Sequence, residues 1–251
     1  MSDQVTLQQL LDDAAFLSLE HQLHLDGLLG DHTWDVDLSE GHFAFRAAET
    51  GAGPLLAEAP DGELVATRMH LLGTAAPGPR SWLWCWANPV GFGDVVTGLA
   101  RWLRDFGGRH GVPELSQPEV QFAELPGAAT EPAQAVGVVL DAAKAAARRW
   151  TSYSGDVGNG TRAAFLLDHP AFALPEPSGP RTLRVLLERL SGPTLGDHRR
   201  AVASYAGGRS LAQHWEAEHA AVRLAGPAFE LRVRFDELGQ IAGVDADFSP
   251  A

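Results

Sequence analysis

The stretch SWLWCWANP at residues 81–89 decides the fold predicted for this chain, because it holds three of the seven tryptophans. Side chains alternate between the two faces of a β-strand. Trp82, Trp84 and Trp86 would therefore share one face, and three smaller side chains, among them Cys85, would share the other. Both faces are apolar, which predicts an interior strand covered on both sides. The proline at the end of the stretch stops the strand, since it has no N–H for a ladder.

The tryptophan row has two interpretations that the sequence leaves open. An indole can bury roughly 150–250 Å² and carries one N–H that needs a partner. The row is either part of the core beneath a helix, or it forms the floor of a ligand pocket. The pocket interpretation makes Trp82, Trp84 and Trp86 candidate ligand-binding residues.

A first helix is predicted from Thr6 to about His24. Its apolar residues recur at helical spacing and would face the core; they are Leu7, Leu10, Ala14 and Leu17. The same stripe continues onto His21 and His24, three residues apart on one face. These histidines are either exposed at the end of the helix or form a polar wall of the pocket, which makes them candidate ligand-binding residues. Two histidines at this spacing are a weak metal signal, and no metal site is predicted.

The remaining patterns predict an α+β protein in which helices cover antiparallel β-sheets, in two α+β halves. Residues 1–110 form a helix, a four-strand meander and a second helix, whose expected core stripe is Val95, Leu99, Trp102, Leu103 and Phe106. The Gly- and Pro-rich segment after it is the predicted boundary. Residues 130–251 form a helix, antiparallel strands that include residues 182–190, and a closing hairpin. In that hairpin Phe229, Leu231, Val233 and Phe235 face inward.

Charge is distributed unevenly along the chain, which has a formal net charge of −13. Residues 1–63 hold 13 acidic residues and one basic residue, Arg46. Binding to nucleic acid or to an anionic membrane requires clustered Lys and Arg, so neither is expected as a partner. The acidic region either keeps the protein soluble or binds a basic protein partner.

The compartment predicted from the sequence is the cytoplasm. Cys85 is the only cysteine, so an internal disulfide is impossible and a reducing environment is favoured. The first residues have no signal-peptide pattern, and no run of about 18 apolar residues predicts a membrane span.

Established catalytic motifs are missing, including the phosphate-binding loop, the paired-histidine zinc motif and the serine nucleophile elbow. One constellation remains in a predicted strand, where His214, Glu216 and Glu218 would share a face. One imidazole and two carboxylates at this spacing could bind a divalent metal or perform acid–base catalysis. The solvated face of an antiparallel strand gives the same pattern.

Two segments resemble a bacterial family known only as a domain of unknown function. They are the W-x-W-x-W-A-N run at residues 82–88 and the closing F-D-E-L-G-Q-I at residues 235–241. The order of elements between them is also similar. The resemblance implies a shared fold, but it implies no activity, cofactor or catalytic residue.

These observations predict a non-enzymatic protein that binds a small molecule or another protein. Its site would be a pocket among the three tryptophans, His21 and His24, or the acidic N-terminal region facing a basic partner. The alternative is a hydrolase or isomerase with a His/carboxylate site, with or without metal assistance.

Overall fold

The computed structural model describes residues 4–190 and 195–248, and it confirms the α+β class. Its helices are α1 (Leu7–Leu29), α2 (Pro54–Ala57), α3 (Asp94–His110), α4 (Pro113–Ser116), α5 (Pro132–Ala147), α6 (Gly179–Arg189) and α7 (His198–Gly208). Its first six strands are β1 (Gly30–Asp37), β2 (His42–Ala52), β3 (Glu63–Val65), β4 (Arg68–Ala76), β5 (Ser81–Trp84) and β6 (Glu119–Gln121). The other six are β7 (Ser152–Asp156), β8 (Arg162–Asp168), β9 (Ala212–Trp215), β10 (Ala221–Gly226), β11 (Phe229–Phe235) and β12 (Ile241–Asp247).

The described chain forms two compact units. The first contains His21–Ala173 and the residues before Gln8, and the second contains Gln8–Glu20 and the residues after Ala173. The predicted halves, residues 1–110 and 130–251, do not coincide with these units. Strand β8 pairs with β4 across the predicted boundary, so one sheet combines residues from both sides of it.

The first unit contains two antiparallel sheets, with strand orders β1-β2-β3 and β6-β5-β4-β8-β7. The expected four-strand meander is therefore divided, since β4 pairs with β5 and β8 and not with β3. Helices α3 and α5 pack on β4, and α5 also packs on β8. Aromatic side chains from the two sheets meet at ring distances of 5.1–6.0 Å and form much of the core; they are Trp34, Phe43, Phe45, Tyr153 and Phe165.

Strand β5 is an interior strand, as the tryptophan row predicts, with β4 on one side and β6 on the other. It is shorter than expected. The Trp84 amide donates to the carbonyl of Pro118, and the chain then enters a 3₁₀ turn at Cys85–Ala87. Trp86 therefore leaves the row, whereas Trp82 and Trp84 are completely buried.

Helix α3 is rotated relative to the sequence prediction. Its buried residues are Val96, Thr97, Ala100, Leu103 and Gly107. Of the expected stripe only Leu103 is buried, whereas Val95 and Trp102 are 71% and 41% exposed. Two apolar lines run along this helix, and the sequence alone does not distinguish which of them faces the sheet.

The second unit combines the sheet β12-β11-β10-β9 with α6, α7 and the first half of α1. The closing hairpin is confirmed, since the predicted inward residues of β11 are buried and Gly239 adopts φ +77°. The predicted strand at residues 182–190 is wrong, because this segment is helix α6. Thr182, Val185 and Leu186 are its buried residues, a helical spacing that the alternation of Leu183, Val185 and Leu187 obscured. Short apolar runs fit both periods, and Pro180 in the first turn favours the helix.

Candidate functional site

A cavity of about 490 Å³ opens in the first unit where α5 ends and β8 ends. This volume lies within the range of roughly 300–1,000 Å³ that is usual for small-molecule sites. Its lining combines cationic, aromatic and histidine side chains; it consists of His21, Thr67, residues 147–151, residues 167–170, Phe172 and Ala173.

One wall of the cavity is the turn that ends α5. Arg148 is the C-cap of this helix and has left-handed dihedrals, φ 52° and ψ 39°, with its N–H donating to the carbonyl of Lys144. Glycine usually occupies this conformation, because a Cβ atom is disfavoured there. The turn brings Arg148, Arg149 and Trp150 to the cavity before the chain enters β7.

The opposite wall is the end of β8. His169 caps the following turn, and its Nδ1 accepts a hydrogen bond of 3.2 Å from the Ala171 amide. Since an amide N–H can only donate, Nδ1 carries no proton, and the ring proton of the neutral imidazole is on Nε2. Burial also lowers the pKa of His169, which favours this neutral form. His169 therefore carries an N–H donor on Nε2.

Asp168 joins the two walls. Its carboxylate accepts a hydrogen bond from Arg149 and lies 3.4 Å from Nε2 of His70, while its backbone carbonyl accepts from the amide and hydroxyl of Thr67. His70 is buried. Burial lowers the pKa of His70, and the negative charge of Asp168 opposes this shift. The charge of Asp168 is thus used within the wall, where it positions Arg149.

Arg148 takes no part in this network of ion pairs and hydrogen bonds. Its side chain is exposed at the cavity, and none of the ion pairs within residues 4–190 and 195–248 involves it. The polar side chains of the walls mainly donate hydrogen bonds, and Asp168 is the one carboxylate in the lining. Such a cavity is chemically suited to a ligand that is negatively charged and rich in acceptors.

The structure separates the five ligand-binding residues predicted from the sequence. His21 lines the cavity, where its ring stacks on Trp150 with centroids 6.2 Å apart and an interplanar angle of 21°. His24 is outside the lining, and its Nε2 lies 3.0 Å from the carbonyl oxygen of Ala173.

The three tryptophans of residues 82–86 are not part of this cavity. Trp82 and Trp84 contact each other edge to face with centroids 5.4 Å apart, and the indole N–H of Trp84 donates to the carbonyl of Glu114. Trp86 is half-buried, and the guanidinium of Arg104 lies 5.5 Å from its ring centroid.

The second predicted constellation is not assembled, because its predicted strand ends at Trp215. Glu216 accepts two hydrogen bonds of 2.7 Å from Arg232 and lies 3.5 Å from Arg223, and the Arg232 hydrogen bond lowers the pKa of this carboxyl to about 2. Glu218 is in a 3₁₀ turn with φ 56°. No group of three potential metal ligands occurs in the described residues.

Sequence reasoning did not find Asp168, His169 or the run Arg148-Arg149-Trp150 as site residues. The sequence contains a weak signal, because each group directly follows an apolar segment. Side chains at the end of a helix or strand can gather around a common site. Nothing in the local pattern shows that the two ends meet, because Arg149 and Asp168 belong to different elements 19 residues apart.

The family assignment follows from residues 8–170, which match the model of DUF6882, a family of unknown function. The chain belongs to this family. The match includes the tryptophan stretch and all the cavity residues up to Pro170, whereas the closing motif at residues 235–241 lies outside it. No curated protein and no solved structure matches the chain. In the described part of the chain, no helix is both long and apolar enough to cross a bilayer.

Proposed function

We propose that this protein is a non-enzymatic binding protein whose cavity at Arg148 holds a small anionic molecule. The observation that carries the proposal is Arg148, an exposed cation that lines the cavity and has no ion pair among the described residues. A carboxylate or phosphate oxygen is the natural partner for such a group.

The backbone at Arg148 supports this proposal. A left-handed conformation costs an L-residue roughly 1–2 kcal/mol, and glycine avoids that cost. Nothing in the local fold requires a side chain at this helix end. Strain that is kept at a cavity is a common feature of functional sites.

The surrounding side chains define the kind of anion. Arg149 is held by Asp168, and His169 carries its proton on Nε2, so both are fixed donors. Trp150 and His21 add flat aromatic surface. The overall charge of −13 opposes anion binding, so the local cations must supply the attraction at short range.

Replacing Arg148 with glycine tests the proposal, since it relieves strain and removes the cation together. We expect R148G to unfold at higher urea concentration, by about 1 kcal/mol in unfolding free energy, because glycine suits the left-handed C-cap. We expect its affinity for anions to fall about 10- to 100-fold, because a charge-assisted hydrogen bond is lost. Thermal shift with phosphate, citrate and benzoate, against choline as a cationic probe, measures the second effect.

Arg80 provides a matched control. It is also an exposed arginine with a left-handed backbone, φ 54°, but it does not line the cavity. R80G should gain stability in the same way and should bind anions like the wild type. Equal anion responses in wild type and R148G, or no response to any anion, would contradict the proposal.

A second candidate function is binding of a basic protein at β1. This strand is at the edge of its sheet, and Asp31, Asp35 and Asp37 are exposed along one face of it. Acidic side chains also prevent edge-to-edge aggregation, so the same pattern has a structural explanation. Triple replacement of these residues by Asn should abolish salt-sensitive capture of a basic protein and should leave anion binding at Arg148 unchanged; capture that persists would contradict this function.

A further inference from the structure

Helix α3 has a second apolar line on its outer face. The inner line packs in the core, whereas the outer line consists of Val95, Leu99, Trp102 and Phe106. Val95 is 71% and Trp102 is 41% exposed, and the rings of Trp102 and Phe106 stack at 5.5 Å.

The spacing of this outer line is typical of helix pairing. Its residues follow each other at intervals of four, three and four, which is the repeat of a helix that packs along its length against another helix. Scattered single apolar side chains on a surface need no explanation, but a continuous line with two aromatic residues is typical of an interface.

Gly98 lies within this outer line and is not explained by packing inside the chain. A Cβ atom at Gly98 would have no neighbour within 4 Å. By contrast, a Cβ at Gly107 in the same helix would lie 2.7 Å from the carbonyl oxygen of Val112, so Gly107 is required by α4. Glycine is a poor helix former, and its use at an open position favours close approach by another backbone.

We propose that α3 pairs with α3 of a second copy of this chain, antiparallel and with the two-fold axis at Gly98. In such a pair, residues whose numbers add to about 196 lie opposite each other. Gly98 then faces its own counterpart, which lets the helices approach closely. Trp102 of each copy packs beside Val95 of the other, so the two most exposed side chains of the line are covered.

The charges on this face are also self-complementary. Asp94 and Arg101 are 83% and 42% exposed and form an ion pair within the chain. Across the two-fold axis Asp94 lies opposite Arg101 of the second copy, so the two pairs form one network of alternating sign. A self-complementary surface of this kind is what an isologous dimer requires.

The size of the surface sets the strength of the dimer. A helix of 17 residues is roughly 25 Å long, so a strip about 10 Å wide covers about 250 Å² per copy. This is well below the roughly 800 Å² per partner of a standard stable interface. The net charge of −13 on each copy adds repulsion. We therefore expect a weak dimer that forms above roughly 10 µM.

Sedimentation equilibrium from about 10 µM to 1 mM tests the pairing with charge reversal. In a homodimer of either D94R or R101D, positions 94 and 101 carry like charges, and they face each other at two places. Either variant alone should therefore dimerise at least about tenfold more weakly than the wild type. An equimolar mixture of D94R and R101D restores opposite charges at both positions and should regain the dimer. Both sites are exposed, so the variants should fold normally by circular dichroism.

Matched controls come from another exposed ion pair of the same unit. Arg46 and Glu63 lie 3.3 Å apart on β2 and β3. R46E and E63R change the net charge by the same amounts and should leave dimerisation unchanged. A wild-type chain that is monomeric throughout, or a mixture that does not recover, would overturn the proposal and leave this face to a different partner.

Discussion

Two tryptophan-containing segments of the first unit have opposite environments. Strand β5 buries Trp82 and Trp84 completely between neighbouring strands and helices, whereas Trp150 is half-buried at the cavity beside Arg148 and Arg149. The first segment is the more conspicuous one in the sequence. The difference shows that a dense aromatic row can be buried entirely as core, while a single aromatic residue beside an exposed arginine lines the candidate site.

Truncating one tryptophan in each segment gives the largest expected difference. W84A removes a fully buried indole and leaves the carbonyl of Glu114 without its donor, so we expect a loss of about 3–5 kcal/mol in unfolding free energy. W150A removes a half-buried ring at the surface and should cost about 1 kcal/mol. Urea unfolding followed by circular dichroism measures both. Similar losses in the two variants would remove the distinction between core and site.

A glycine beside the tryptophan strand gives the next largest effect. A Cβ atom at Gly73 in β4 would lie 2.2 Å from the carbonyl oxygen of Leu83 and 2.8 Å from the ring of Trp82. We expect G73A to destabilise the fold by about 1–3 kcal/mol, because β4 and β5 must separate to accommodate it. Gly78 in the turn between these strands has open space around it, so G78A should change stability little. Equal effects would mean that the tight packing around β5 is not required.

The smallest expected effect distinguishes the two segments by pH. Burial lowers the pKa of His70, next to Asp168, below its ordinary value of 6.5. As pH falls below 6.5, the unfolded chain takes up this proton before the folded chain does, so the free energy of unfolding should decrease. In the turn that follows β5, burial raises the pKa of Cys85 to about 12, so this thiol contributes no change between pH 5 and 8.

Unfolding in urea at pH 5 to 8 measures this dependence in wild type and H70Q. The decrease below pH 6.5 should be smaller in H70Q than in wild type, with residual slope from half-buried His169 and His198, whose pKa values are also lowered by partial burial. An unchanged slope in H70Q would show that His70 does not need to stay neutral in the fold.

Much of the fold could be predicted, because it depends on local periodicity. The apolar stripe of α1, the interior position of β5 and the closing hairpin with Gly239 all follow from short-range patterns. The errors occurred where two periods fit one segment. Helix α6 was predicted as a strand, and α3 was assigned the wrong inner face, since its sequence carries two apolar lines.

The candidate site could be predicted only in part. His21 lines the cavity and was singled out from its place on the stripe of α1, but its neighbours in the cavity were not. Asp168 meets His70 across 98 residues of sequence and Arg149 across 19, and no local pattern encodes such contacts. The pairing of β8 with β4, which creates the cavity wall, is itself a long-range event.

By itself, the sequence determined which segments are amphipathic, where turns need glycine and which residues are too apolar to stay in water. These are properties of a residue and its near neighbours, set by side-chain period and by the cost of exposing apolar surface. Only the tertiary structure decided which tryptophans are core, which charges form ion pairs and which cavity arginine has no ion pair among the described residues. Those outcomes depend on distances between residues far apart in the chain, and the folding of the whole unit sets these distances.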